Sequence, residues 1–303
     1  MIIYCDLNPK ITRKYKVSNF KKNAENESEE SRVYASGYGV DSVFFLRYLG
    51  ANPKLLTFLG GETGEEIKTR LSENSVDYDF IRIVDENIEE ILIQNKSFRT
   101  VVRTKSPRIT SENRDDFLIK LSKESTNRNL VCIPEIDFDA WGDRTYETLI
   151  SLCNRRGIDV ALNIKRFEDL GEQKPFIAIV EKEELERFTN TIIKTQNDVI
   201  RASKFVLNKG IVNLIVISEN GVIVANKTES IKVDFESFKN DITKINKNLI
   251  LAGIGFGFER KYDFETTIKF SVASSIVENF VKFRMVSMAD IKKLMTGIKV
   301  SKI

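Results

Sequence analysis

The chain has 303 residues, with 47 Lys and Arg against 44 Asp and Glu, a formal net charge of +3. Hydrophobic residues make up 42% and charged residues 30%, the proportions of a folded globular chain rather than a disordered one. The charge excess is too small to point to nucleic acid, and the complete absence of histidine removes Ser-His-Asp triads, imidazole bases and His-ligated zinc.

Cys5, Cys132 and Cys153 are odd in number and widely spaced, so neither a disulfide framework nor a zinc site follows. Cys132 and Cys153 lie in apolar runs and read as buried thiols. The opening MIIYCDLNPK lacks the basic stretch and apolar run of a signal peptide. No run of about 18 apolar residues occurs, so the expectation is a cytoplasmic chain with no membrane partner. The length permits two domains, but α/β folds of this size are commonly one, and we read a single domain over 1–303.

In chain order, residues 13–35 and 77–103 carry short alternations, such as Ile91 and Ile93, that suggest a small separate sheet. Residues 22–31 are polar and read as a loop or hairpin tip. Residues 40–49 predict a helix stopped by Gly50, and 55–60 a strand. Thr63 to Glu66 has the spacing of a capping box opening the next helix. A helix follows over 112–124, then a buried strand at 130–134. Tyr146, Leu149, Ile150 and Cys153 are spaced for a helix over 143–156 closed by Gly157, and 159–164 reads as a strand. Helices are expected at 182–189 and 196–209. LIVIS and VIVAN flank the turn signal Glu219-Asn220-Gly221, and the last third predicts helices at 248–258, 264–282 and 287–297. Strand–helix alternation of this kind predicts an α/β fold with a mostly parallel sheet covered on both faces.

At this point several segments look familiar. LNPKIT (7–12), SGYGVDSVFFLRYLG (36–50), FLGGETGEEI (58–67), SPRIT (106–110), PFIAIVEKEEL (175–185) and AGIGFGF (252–258) stand in the order of the motifs of the PfkB carbohydrate kinases. The chain therefore resembles that family, in its branch of 1-phosphofructokinases and tagatose-6-phosphate kinases. The resemblance implies a ribokinase-like three-layer α/β/α sandwich with a small β-sheet lid formed by about 12–35 and 88–105. It also implies a sugar phosphate under the lid, ATP and Mg at the far end of the sheet, and a homodimer through the lids, where Phe98, Ile91 and Ile93 would offer an apolar face.

The family's chemistry rests on a GAGDS motif whose Asp is the base and whose glycine N–H groups hold the transferring phosphoryl charge. Counted back from Ala252-Gly253, that motif falls on Ile245, Asn246, Lys247, Asn248 and Leu249. The base position holds Asn248, and a carboxamide is not a base near neutral pH. Loss of a general base costs about 10²–10⁴-fold in rate. Lys247 stands at the positive end of the helix dipole. Asp241 is the nearest upstream acid and could substitute only if the motif is displaced by seven residues.

By the same resemblance, the sugar-site positions are Thr12, Gly37, Tyr38, Gly39, Asp41, Arg103 and Asn163. Of these Arg103 keeps chemistry suited to a phosphate, although with Lys105 and Arg108 it reads more readily as a solvated lid edge than as an anion site. The nucleotide-side positions are Glu181, Glu184, Ser218, Gly221, Asn246 and Lys247. Glu184 matches a carboxylate associated with Mg in the family, but a carboxylate in a helix's first turn is explained by the dipole alone. Gly37, Gly39, Gly60, Gly61, Gly64 and Gly253 read as tight turns and close packing. The expectation is a pseudokinase; the alternative is an active kinase of fructose 1-phosphate or tagatose 6-phosphate that uses a displaced carboxylate.

Overall fold

A computed structural model describes residues 1–136, 142, 144–219 and 221–303. Strand β1 (Ile2–Asp6) sends Ile2 and Tyr4 into one apolar core and Ile3 and Cys5 into another, the period-2 signature of a strand covered on both faces. Strands β2 (Lys10–Lys16) and β3 (Glu30–Ser36) leave that layer. With β6 (Ile88–Gln94) and β7 (Arg99–Arg103) they form a four-stranded sheet in the order β3-β2-β6-β7.

The main sheet joins β1 to β4 (Lys54–Gly60), β5 (Asp77–Ile83), β8 (Leu130–Ile133), β9 (Asp159–Asn163), β10 (Ile177–Glu181), β11 (Asn213–Ser218), β12 (Gly221–Asn226), β13 (Ser230–Asp234) and β14 (Lys299–Lys302). Its ten strands run in the order β14-β13-β12-β11-β10-β9-β8-β1-β4-β5. Pairing is parallel from β11 through β5, and antiparallel from β11 to β14.

Helices α1 (Tyr38–Tyr48), α2 (Gly61–Glu73), α7 (Lys247–Arg260), α8 (Phe264–Ile276) and α9 (Met288–Gly297) contribute to one core. Helices α3 (Ser111–Glu124), α4 (Thr145–Arg155), α5 (Lys182–Thr189) and α6 (Gln196–Leu207) contribute to the other. The result is the α/β/α sandwich with a small added sheet. All three cysteines are buried thiols. Among the described residues no helix is long and apolar enough to cross a membrane.

Several sequence expectations need correction. Residues 77–83 do not belong to the small sheet: β5 pairs with β4 from Lys54↔Asp77 to Gly60↔Ile83, because Ile81 and Ile83 join the core under α3. The Thr63 capping box does not form. Helix α2 starts earlier, at Gly61, and the Glu86 carboxylate takes the Glu62 and Thr63 N–H groups, each at 2.9 Å. The helix expected to run to residue 282 ends at Ile276 and gives way to a 3₁₀ turn, Val277–Asn279, where the Asn279 side chain accepts from Thr243 and Lys244 N–H. Helix α4 begins at Thr145, and residue 143 lies outside the described residues. So does Asn220 of the turn between β11 and β12, although the two flanking strands pair antiparallel as expected.

Candidate functional site

In an open parallel sheet, ligands bind beyond the carboxyl ends of the strands where the strand order reverses. Here that point is beside β1, which lies between β8 and β4 while the chain leaves it for the small sheet. Asp6, Glu135, Asn163, Lys165 and Glu181 all lie at or just past the carboxyl ends of β1, β8, β9 and β10. The N-termini of α1 and α7 are part of the same region: Ser42 Oγ of α1 donates 2.7 Å to Tyr38 O and lies 3.4 Å from Asn248 O of α7.

The entrance to α1 is closed by Asp6. Its Oδ2 accepts from Gly39 N and Val40 N, each at 2.9 Å, and its Oδ1 from Asn8 N at 3.0 Å. A Cβ on Gly39 would stand 2.5 Å from the Asp6 Cβ, so the glycine serves this internal carboxylate. Burial pushes the Asp6 carboxyl up, and the three N–H groups oppose the shift. Asp41, one turn into α1, is pushed up to about 7 by burial and by the charge of Asp6. Tyr38 is half exposed.

Asn248, which the count back from Ala252-Gly253 sets at the base position, is buried, and its Oδ1 accepts 2.6 Å from Asn163 Nδ2. The sequence thus singled out two positions that the fold does bring together, but as an amide pair. Asn163 Oδ1 has no hydrogen-bond partner among the described residues. The ends of β8 and β9 are tied by Tyr146: its hydroxyl donates 2.9 Å to Asn163 O and accepts 2.9 Å from Ile136 N. Burial raises that phenol far above its ordinary range. The donors at the start of α7 are also committed, since Asn246 Oδ1 accepts from Asn248 N at 3.1 Å, Asn246 N donates to Ser275 O and Asn246 Nδ2 donates to Glu278.

Lys247 begins α7 with its ammonium on Glu135 Oε2 and 3.3 Å from Glu181. Glu135 Oε1 takes Lys165 Nζ at 2.6 Å. Burial alone would lower the Lys247 ammonium; Glu135 and Glu181 outweigh it and hold it above its ordinary value. A cation at a helix N-terminus is unfavourable, and the two carboxylates offset that here.

In the small sheet the pattern repeats. Glu90 takes Lys10 at 2.6 Å and Arg103 Nη2 at 2.8 Å, while buried Thr12 pairs with Ser36 at 2.6 Å. Burial opposes ionisation of Glu90, but the two cations outweigh it and keep the carboxyl below its usual range. The partly open space lined by Asp6, Lys10, Tyr38, Asp41, Arg103 and Glu135 is about 70 Å³, well below the roughly 300–1,000 Å³ of a ligand pocket. A wider groove of about 730 Å³ adjoins it between the small sheet and residues 282–285.

On the nucleotide side, Glu184 is not poised for a metal. It is buried, with Oε1 on Phe167 N at 2.8 Å and both oxygens on Arg187 at 2.8 Å. Ser218 Oγ donates 3.0 Å to Gly221 O across the β11–β12 connection. Among the described residues no three carboxylate or thiol groups gather as a metal site requires. With Glu184 so committed and Lys247 bound to carboxylates, these residues do not fit a magnesium nucleotide. Asp241 is exposed, and its N–H closes a turn onto Phe238 O; the fold does not bring it to Asn248.

Residues 6–242 match the model of the pfkB family carbohydrate kinases. The chain belongs to that family. It is 25% identical to a 1-phosphofructokinase of Borreliella burgdorferi over 310 aligned positions, covering 100% of this chain and 99% of that one. It is 25% identical to a 1-phosphofructokinase of Bacillus subtilis across 71% of each chain. Among solved structures, phosphofructokinase-2 of Escherichia coli in complex with potassium superposes with a TM-score of 0.85 at 14% identity, covering 97% and 98% of the two chains. That likeness speaks for the fold alone.

The sequence reasoning missed Asp6, Glu90, Glu135 and Tyr146. A usable signal was present for two of them. Asp6 ends the buried run IIYC and Glu135 follows LVCIP, so both acids had to lie at carboxyl ends of strands.

Proposed function

We propose that this pfkB-family protein is a pseudokinase: it keeps the sugar-kinase scaffold, has lost phosphoryl transfer, and acts by binding, as a sensor or as the partner of an active enzyme. The observation that carries this reading is the buried Asn163–Asn248 amide pair where the count sets the catalytic carboxylate. The committed donors at the start of α7 and the small, partly open space support it. The four-stranded sheet serves as the lid in this reading, over a single cytoplasmic domain. Thr12, Gly37, Tyr38, Gly39, Asp41, Arg103 and Asn163 mark its former sugar side; Glu181, Glu184, Ser218, Gly221, Asn246 and Lys247 mark its former nucleotide side.

A homodimer through the lid belongs to the same proposal. Phe98 packs on Phe20 of its own chain, so the apolar contribution comes from the exposed Val101 and Val102 instead. The E. coli phosphofructokinase-2 has been solved with fructose-6-phosphate and as a tetrameric inhibited form, and its fold is this one.

The test is turnover with MgATP and fructose 1-phosphate, fructose 6-phosphate or tagatose 6-phosphate. No ADP release above background is expected from the wild type. Sustained turnover with any of the three would favour the second reading, an active kinase. Its displaced carboxylate would then be Glu135, which lines the partly open space, rather than the exposed Asp241.

A further inference from the structure

The ion pairs around Glu135 are among the more buried in the molecule. Its side chain is 5% exposed, yet it meets two ammonium groups, one on each carboxylate oxygen. The two lysines come from different parts of the fold. Lys165 follows β9 and Lys247 starts α7, so neither sequence proximity nor a helical repeat explains their convergence. A buried carboxylate is costly to desolvate unless it is well paired, and a lysine at a helix start is disfavoured by the dipole. Each of these two unfavourable features is relieved by the other.

Two ammonium groups converging on two oxygens of one anion is how a protein holds a tetrahedral oxyanion. Glu135 also lines the partly open space beneath the small sheet, so its carboxylate stands between that space and the start of α7. We propose that Lys165 and Lys247 form a latent oxyanion site of phosphate or sulfate size, kept occupied by Glu135 as a tethered anion. This deepens the pseudokinase reading by naming what shuts the centre. With Glu135 in place, a free anion would have to displace a carboxylate that is part of the chain and so present at very high effective concentration. With its charge removed, Glu181 remains beside Lys247 at 3.3 Å, but the anion that both ammonium groups share is gone.

The experiment measures inorganic phosphate binding by calorimetry and by thermal unfolding at constant ionic strength, using full-length wild type, Glu135→Ala, Glu135→Gln and the double variant Glu135→Ala/Lys247→Ala. The wild type should show no saturable binding at millimolar phosphate. Glu135→Ala should bind it at least about tenfold more tightly, because both ammonium groups can then donate charge-assisted hydrogen bonds to it, and the double variant should lose that improvement. Binding by Glu135→Ala no tighter than by wild type overturns the proposal. Tighter binding that survives the loss of Lys247 also overturns it, because phosphate is then bound elsewhere. If Glu135→Ala fails to fold, Glu135→Gln decides: it keeps the side-chain volume and loses the charge, and equal affinity in Gln and wild type is again contrary. Phosphate binding is read without any turnover. Kinase activity in the wild type would therefore retire the pseudokinase reading by a separate measurement.

Discussion

Two helix entrances in this molecule carry glycine motifs in the resembling family, and they have fared differently. At α2 the glycines remain. At α7, by the ungapped count, their positions hold Ile245 and Lys247. The α2 glycines are required by the chain's own atoms. A Cβ on Gly60 would lie 2.3 Å from Asp85 O and 2.5 Å from Ile83 O, and one on Gly64 would lie 2.8 Å from Asn87 Oδ1. Gly61 has φ +63° and faces the Glu86 carboxylate. Within α7 itself, Gly253 is kept where a Cβ would stand 2.4 Å from Ser271 Cα. Each glycine kept at these two entrances is thus explained by the fold's own packing.

The largest effect should come from Gly60→Ala. The atoms it would meet are backbone carbonyls of β5 and the turn after it, which cannot rotate away. Overpacking of this kind costs about 1–3 kcal/mol and sometimes more, and Gly60→Ala should lie near the top of that range by urea unfolding. Gly253→Ala should cost about 2 kcal/mol by the same argument. A loss under about 0.5 kcal/mol at both positions would break the claim that these glycines are structural.

This contrast also explains how much the sequence could tell. The alternation of buried strands and amphipathic helices, with glycines at forced turns, made the sandwich legible. The resemblance singled out Asn163 and Asn248 separately, and only the structure shows that their side chains meet. The ion pairs were not legible. Glu135 meets Lys247 and Lys165, and Glu90 meets Lys10 and Arg103, across separations that no local pattern encodes. The displaced edge strand β5 was misassigned because its alternation resembles that of β6, and only pairing with β4 distinguishes them.

Asp41 offers the next effect. Its carboxyl is pushed up to about 7 by burial and by Asp6, against an ordinary value of about 3.9. The folded state therefore binds a proton more tightly than the unfolded chain. Stability that depends on this group is complete below about pH 4 and falls as pH rises toward and through 7. Asp41→Asn should remove that loss. After a discount for partial exposure, the variant should exceed the wild type by about 1–2 kcal/mol at pH 8, with the advantage vanishing near pH 4. Lys10 lies close enough to oppose the shift and Glu278 to add to it, so a difference independent of pH would assign the effect to packing instead. Glu86 behaves in the opposite sense. The Thr63 and Glu62 N–H groups hold its carboxyl below the ordinary range, so its contribution is present at neutral pH and fades in acid. Glu86→Gln should cost about 1 kcal/mol at pH 7, as loss of a helix cap does, and less at pH 3.

The smallest expected effect sharpens the comparison most. Asn248→Asp puts a carboxylate where the count sets the family's base, at the entrance of α7. The retained Oδ1 would still accept from Asn163 Nδ2, and the charge would stand in the first turn, where it is favourable. Burial of the new charge opposes that gain, so the net change in stability should be no more than about 1 kcal/mol. Turnover with MgATP and fructose 1-phosphate should nevertheless stay at background. A base contributes only about 10²–10⁴-fold by taking the proton of the attacking hydroxyl, and the phosphoryl group under attack must still be held by free donors. Here Asn248 N is taken by Asn246, and Lys247 and Lys165 by Glu135. Combining Asn248→Asp with Glu135→Gln then asks whether the base and the vacated cations together suffice. If the single Asn248→Asp variant already turns over, the carboxylate was the sole missing part, and the pairs around Glu135 are no barrier to phosphoryl transfer.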